Sequence, residues 1–453
     1  MDPFERRLRE DLGGLADEGP RPAPLSAGAR RSLRLRAGRT ATASVLVVAL
    51  LAYGAWTGVR AIGRSTSGPA TGEACSWSAV PAPSADPTRY ETFLRSVAAS
   101  GPNDAWAVGT YNEAREGAGS FVEIQHWDGT AWTEVHPPAI ETYGGPSVTG
   151  VAATGPDDAW AVGFNEEEGG GVSLAVHWDG TSWTSASMHD SSLPESHLFA
   201  VAALTPDDYW AAGGWAKPGD LRGGGLMDQW NGTSWETATW SAPATPHPAN
   251  ETGGPYELLN AVAGSSSSDV WAVGQSQDVP LSQSRTWTVH WDGQDWAIVQ
   301  SPNVDPEPGT GNVDNSLQSV AAIAPDDAWA VGSYQLKGTR LAAPATHRPL
   351  AIHWDGGRWS VVPLPEVGQG GLNGVAAVGP HDVWAVGQTV ENPGGAYSVS
   401  PLLLHWDGTA WSRSNVPVQG DASLSAITAI PGGGLWAVGS QGSPSRPMVL
   451  RCR

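Results

Sequence analysis

The stretch LQSVAAIAPDDAWAVGSY at residues 317–334, followed after a polar loop by PLAIHWDGGRWS at residues 349–360, decides the fold. Residues 319–323 are a short apolar run, and Pro325-Asp326 is a turn pair. Residues 327–334 alternate large and small side chains, the period of a strand buried on both faces. Residues 350–354 and 357–362 form two further strands on either side of Asp355-Gly356. Asp-Gly at that point predicts a two-residue type I′ hairpin turn, because both residues tolerate positive φ. The stretch is therefore expected to be a four-stranded antiparallel sheet.

The chain repeats this unit seven times, and its tryptophans mark the copies. Second strands carry Trp106, Trp160, Trp210, Trp271, Trp329, Trp384 and Trp436. Third strands carry Trp127, Trp178, Trp230, Trp291, Trp354 and Trp406, and fourth strands Trp132, Trp183, Trp235, Trp296, Trp359 and Trp411. Subtracting successive second-strand positions gives spacings of 54, 50, 61, 58, 55 and 52 residues. Four-stranded units at such a period are propeller blades with long loops. The fold class is all-β: a seven-bladed β-propeller closed by an N-terminal strand and preceded by one transmembrane helix.

Closure follows from what the last unit lacks. After Trp436 the chain supplies a third strand at 448–452 and has no fourth. Upstream, Cys75-Ser76-Trp77-Ser78 matches a fourth strand. Aligned on blade 1, Cys452 takes the place of Trp127 and Cys75 that of Thr130. The two are expected to oppose each other within disulfide reach. A disulfide between the chain's two cysteines would then replace the missing turn.

Residues 1–40 form a predicted cytoplasmic segment, with Phe4, Leu8 and Leu12 at helical spacing as a candidate surface for a cytoplasmic partner. Residues 41–60 are the candidate transmembrane helix. Residues 41–59 carry no charge, and five arginines (Arg30, Arg31, Arg34, Arg36, Arg39) precede them. The positive-inside rule places the N-terminus in the cytoplasm and the propeller outside, at the cell membrane. A cleaved signal peptide is the alternative. Residues 61–74 read as a linker, and 75–453 as the propeller. The net charge is −21; residues 1–64 hold eleven arginines and six acids, so the remainder carries −26. That balance argues against nucleic acid as a ligand.

Within the blades, first strands such as SVAAI are small because they crowd the axis, and Ala-Trp-Ala-Val-Gly offers a large face and a small one for stacking blade on blade. Asp104, Asp158, Asp208, Asp269, Asp327 and Asp382 recur before the second-strand tryptophan. Asp128, Asp179, Asp292, Asp355 and Asp407 recur in the hairpin turns. Both series read as turn caps. His126, His177, His290, His353 and His405 stand one per blade, too dispersed for zinc. No metal site and no cofactor is expected.

The DAWAVG and HWDGTxW signatures resemble the Trp-rich propeller repeats of bacterial extracytoplasmic proteins, membrane-anchored, over 75–452. Departures are clear: the Gly-His of WD40 repeats, the Gly-Gly of kelch repeats and the spaced Asp-box of sialidases are all missing. The resemblance implies a binding or sensing module for a protein, peptide or carbohydrate ligand, with a structural envelope protein or a propeller hydrolase as alternatives. The inner strands hold no G-x-S-x-G or H-E-x-x-H motif, and the expectation is a protein that is not an enzyme. Ligand is expected on the face bearing the long loops 111–120, 164–171, 214–225, 275–284 and 335–348. Its candidates are Tyr111, Glu166, Glu167, Glu168, Trp215 and Tyr256. Trp287 is excluded, because it occupies the core position of Leu350 and Leu402.

Overall fold

The computed structural model describes residues 75–453 except 84–88, 114–118, 139, 141–144, 168–169, 189–194, 217–222, 239–255, 279–282, 306–313, 336–346, 392–396 and 419. The segments 1–40, 41–60 and 61–74 lie outside the described residues. Among the described residues no helix is long and apolar enough to cross a membrane.

Every named element is a strand, and the strands form seven antiparallel four-stranded blades. Blades 1 to 6 span residues 89–134, 146–186, 195–237, 256–299, 315–361 and 370–413. In blade 5, Asn315–Ala324, Asp327–Gln335, His347–Trp354 and Trp359–Val361 pair in sequence order from the axis outward. Blade 7 takes three strands from residues 422–452 and its outermost from Trp77–Ala79, which pairs with Arg446–Cys452. The N-terminal strand thus closes the ring.

Cys75 and Cys452 are disulfide-bonded, with Cα atoms 5.7 Å apart. The predicted register needs correction. Cys452 opposes Trp77, and Cys75 lies diagonally beyond the Ser76–Arg453 pairing. The same offset appears in the complete blades, and it corrects the turn type as well. Trp354 pairs with Trp359, so Asp355–Arg358 is a four-residue loop rather than a two-residue type I′ turn. Gly356 alone of its residues has positive φ, at 85°. Asp355 Oδ1 accepts from the amides of Gly357 and Arg358, which caps the loop. In the equivalent loops the hydroxyl of Thr130, Thr181 or Thr409 adds a third donor, holding Asp128, Asp179 and Asp407 down at about 2.

Seven buried clusters fill the spaces between neighbouring blades. Each places the large face of one second strand on the small face of the next. Trp106 and Val108 of blade 1, for example, meet Ala159 and Ala161 of blade 2. Each second-strand tryptophan also lies against the outer tryptophans of the following blade. Trp271 is 4.9 Å from Trp354 and 5.0 Å from Trp359, centre to centre. Across the closing seam Trp436 meets Trp127 and Trp132, and Trp384 meets Trp77 at 5.5 Å. Edge-to-face contacts of this kind add roughly 0.5–1.5 kcal/mol each beyond area burial.

The aspartates before the second-strand tryptophan do more than cap turns. Asp269 accepts from Ser265 and from His290 Nε2 at 2.6 Å, and the His290 ring stacks on Trp271 at 4.3 Å. His126–Asp104, His177–Asp158, His353–Asp327 and His405–Asp382 repeat the pair at 2.7–2.9 Å. Gln229 substitutes for the histidine on Asp208. These pairs tie the second strand to the third within a blade.

Candidate functional site

The second-strand glycine explains a feature of the axis that alternation alone does not predict. A Cβ on Gly109, Gly163, Gly213, Gly274, Gly332, Gly387 or Gly439 would lie 1.8–2.0 Å from a first-strand carbonyl oxygen. Alanine would fit the small face of the blade, but it cannot fit under that carbonyl. The close approach accompanies a β-bulge at the same place in every first strand. The residues skipped by the ladder are Arg95, Thr149, Phe199, Asn260, Gln318, Asn373 and Ser425.

All seven line one central cavity of about 390 Å³, walled elsewhere by alanine, valine, isoleucine, glycine, serine and threonine. They sit in the half of each first strand where the chain enters from the blade-to-blade loops. Blade-to-blade and second-to-third-strand loops share that end of the ring, so the bulge residues form a collar at the loop-bearing mouth.

Three collar residues are committed to their neighbours. Thr149 Oγ1 donates to Leu198 O at 2.9 Å, Asn260 Nδ2 to Leu317 O at 2.8 Å, and Asn373 Nδ2 to Leu424 O at 2.8 Å. Each of these bonds ties one blade to the next. Arg95 and Gln318 are exposed, and Phe199 is half-buried.

Phe199 also belongs to a second arrangement, between blades 2 and 3. The His197 and Phe199 rings are nearly parallel, 8° apart with centroids 6.3 Å from each other. Phe164 stands across both, at 72° to His197 and 80° to Phe199. Glu166 Oε1 lies 3.7 Å from His197 Nε2 and its side chain is 52% exposed. Glycine makes the space: a Cβ on Gly171 would be 2.1 Å from His197 Nε2, and one on Gly170 would be 2.2 Å from Glu195 Cγ.

The predicted ligand-face residues meet different fates. Tyr111 is covered: the Arg89 guanidinium lies 3.8 Å from its ring centre and Phe121 stacks on it at 5.1 Å. Trp215 packs partly buried against the core cluster between blades 2 and 3, with its Nε1 over Gly224. Tyr256 begins a first strand, where its backbone pairs in parallel with Gly223; its side chain lies outside the described residues. Glu167 ends a second strand with its side chain outside the described residues, and Glu168 lies wholly outside them. Trp287 is a core residue, 4% exposed. Among the described residues no group of three or more histidine, cysteine, aspartate or glutamate side chains could hold a metal ion.

Blade 1 contains a buried polar cluster that the sequence reading did not find. Glu123 and Gln125 occupy positions that are apolar in other blades, such as Leu350 and Ile352 of blade 5. Arg89, 8% exposed, donates to Glu123 Oε2 at 2.6 Å and to Glu134. Gln125 Nε2 donates to Glu123 Oε1 at 2.7 Å and to Pro83 O at 3.1 Å. Burial pushes the Glu123 carboxyl upward, against the pull of Gln125 and Arg89. In blade 4, burial pushes Glu257 up to about 7.

No protein-family model matches the chain, and no curated protein does. Solved structures similar to it are propellers of low identity. YCF48 bound to D1 peptide is 16% identical, with a TM-score of 0.47, over 83% of this chain and 96% of that one. The WD40 propeller domain of Doa1 is 10% identical, at 0.45, over 84% and 97%. A polysaccharide lyase, ulvan lyase, is 10% identical, at 0.48, over 80% and 94%. The last finding corrects the expectation of a non-enzyme, since chains of this fold include a lyase. The first strands, expected to be small where they crowd the axis, are also not uniformly so: Arg95, Phe199, Asn260, Gln318 and Asn373 line the cavity.

Proposed function

We propose that the chain is a binding module that holds an extended peptide segment across the loop-bearing mouth of the channel, with the propeller outside the cell membrane and residues 41–60 as its anchor. One observation carries the reading. Among the first-strand positions that line the central cavity, about 390 Å³ in volume, the collar is the one where the blades differ widely in size and chemistry. Arg95 and Gln318 offer donors and an acceptor suited to backbone carbonyls and amides, and Phe199 offers an apolar surface.

The test is a fluorescence-labelled peptide library applied to the purified full chain and to the variants Arg95→Ala, Gln318→Ala and Phe199→Ala. Selective binding that falls in these variants, and not in Thr133→Ala in an outer strand, supports the reading. Peptides that bind all four alike would place the site elsewhere, and binding of glycans but no peptide would overturn the ligand class.

A further inference from the structure

We infer that the box made by Phe164, His197 and Phe199, with Glu166 at its rim, receives one cationic side chain of the bound peptide, arginine or lysine; this rests on the peptide-binding reading above. The near-parallel His197 and Phe199 rings, with Phe164 set across them, gather three aromatic rings into one patch, against whose outward faces a cation can lie. A cation seated there lies over ring faces, where the aromatic quadrupole is negative. The rim carries the half-exposed carboxylate of Glu166. None of the three rings belongs to the repeated tryptophan framework, so blade packing does not require them. Gly170 and Gly171 leave the backbone of blade 2 bare beneath Glu195 and His197, where any side chain would collide with them.

Charge supports the assignment. Residues 65–453 carry −26, and a protein so acidic draws cationic ligands towards it over long range. The nearest collar cation, Arg95, belongs to blade 1, whereas the box is built from blades 2 and 3. Phe199 lines both the box and the channel. A peptide crossing the mouth can therefore place a side chain in the box while its backbone meets the collar.

The experiment compares matched peptides carrying arginine or citrulline, and lysine or acetyl-lysine, on the purified full chain by fluorescence polarisation. Citrulline keeps the planar shape and removes the charge. The uncharged members are expected to bind about tenfold more weakly. That preference is expected to collapse in Phe199→Leu and Phe164→Leu, which keep apolar bulk but lose the ring, and to shrink in Glu166→Gln. Unchanged thermal melts show that these variants fold. Equal binding of arginine and citrulline members overturns the cationic box while leaving the channel mouth as a peptide site. So does a charge preference that survives in all three variants. Failure of every peptide to bind the native chain overturns the box and the binding-module reading together.

Discussion

Replacing Cys75 and Cys452 by serine tests whether the ring is held by its covalent closure. The disulfide spans 377 residues. The loop-entropy relation, extrapolated to that length, gives about 6 kcal/mol at 25 °C as an upper bound; a compact denatured chain lowers it to roughly 3–6. The non-covalent part of the seam is short. Three residue pairs join Trp77–Ala79 to Arg446–Cys452, extended by the Ser76–Arg453 pairing at one end and by the Val80 amide donating to Val449 O at 2.9 Å at the other. Trp77 adds its contact with Trp384 at 5.5 Å. The double variant is therefore expected to fold, with a lower urea midpoint by tryptophan fluorescence. Amides of residues 76–80 should exchange faster than those of the second strand Leu435–Gln441 in the same blade. Equal midpoints for the native and serine proteins would refute the reasoning, as would two alkylatable thiols in the folded native chain.

Three further perturbations read the interior. Gly332→Ala drives a methyl into the Ser316 carbonyl, where its Cβ would stand 1.9 Å away, and should cost more than about 3 kcal/mol. Gly357→Ala, whose Cβ meets Asp355 Oδ1 at an ordinary 3.5 Å, should cost under about 1 kcal/mol; comparable urea midpoints for the two would count against the bulge argument. Arg89→Met strands Glu123 without its cation and should destabilise by about 3–5 kcal/mol, a deficit that shrinks in acid as Glu123 protonates; a loss below about 1 kcal/mol would show that the pair carries little. Glu257 ionises less readily in the folded chain, at about 7, than in the unfolded one. The folded state is therefore penalised as pH rises from about 4.5 through 7, and Glu257→Gln should stabilise the protein at pH 8 by about 1–2 kcal/mol and not at pH 4. Parallel pH–stability curves for native and variant would contradict this.

The architecture was legible because its determinants are periodic. The seven second-strand tryptophans fix seven blades, and a missing fourth strand matched by a fourth strand at the other end predicts the closure. The turn type and cysteine register went wrong together. Asp-Gly was read as the whole turn, but Asp128 accepts from the amides of Thr130 and Ala131, which draws two more residues into the loop. The histidine–aspartate ties were hidden because variable loops separate the partners. A signal existed in the last blade, which lacks both: Gly434 stands at the aspartate position and Arg451 at that of the histidine. There the Arg451 guanidinium lies 4.8 Å from the Trp436 ring centre instead. The collar was missed because a bulge has no residue signature of its own in the first strand. Its trace lies opposite, in a glycine repeated in all seven second strands where alanine would have satisfied the small face.

That glycine links the framework to the site. A ring of near-identical blades presents near-identical surfaces, and a peptide without sevenfold symmetry can be read only where the blades differ. The packing positions cannot differ much, because each second-strand tryptophan must meet the outer tryptophans of the next blade. The tight turns cannot either, because each needs its aspartate or asparagine cap. The bulge releases one residue per blade from both constraints, since it lies outside the ladder and faces the cavity. Blades 2, 4 and 6 use that freedom to fasten themselves to their neighbours. Blade 3 instead turns an aromatic ring towards the channel beside two more rings and a carboxylate. Phe199 lines the cavity and also meets Phe164 at the start of a varied loop, so it is where a sequence-specific contact is expected to be strongest.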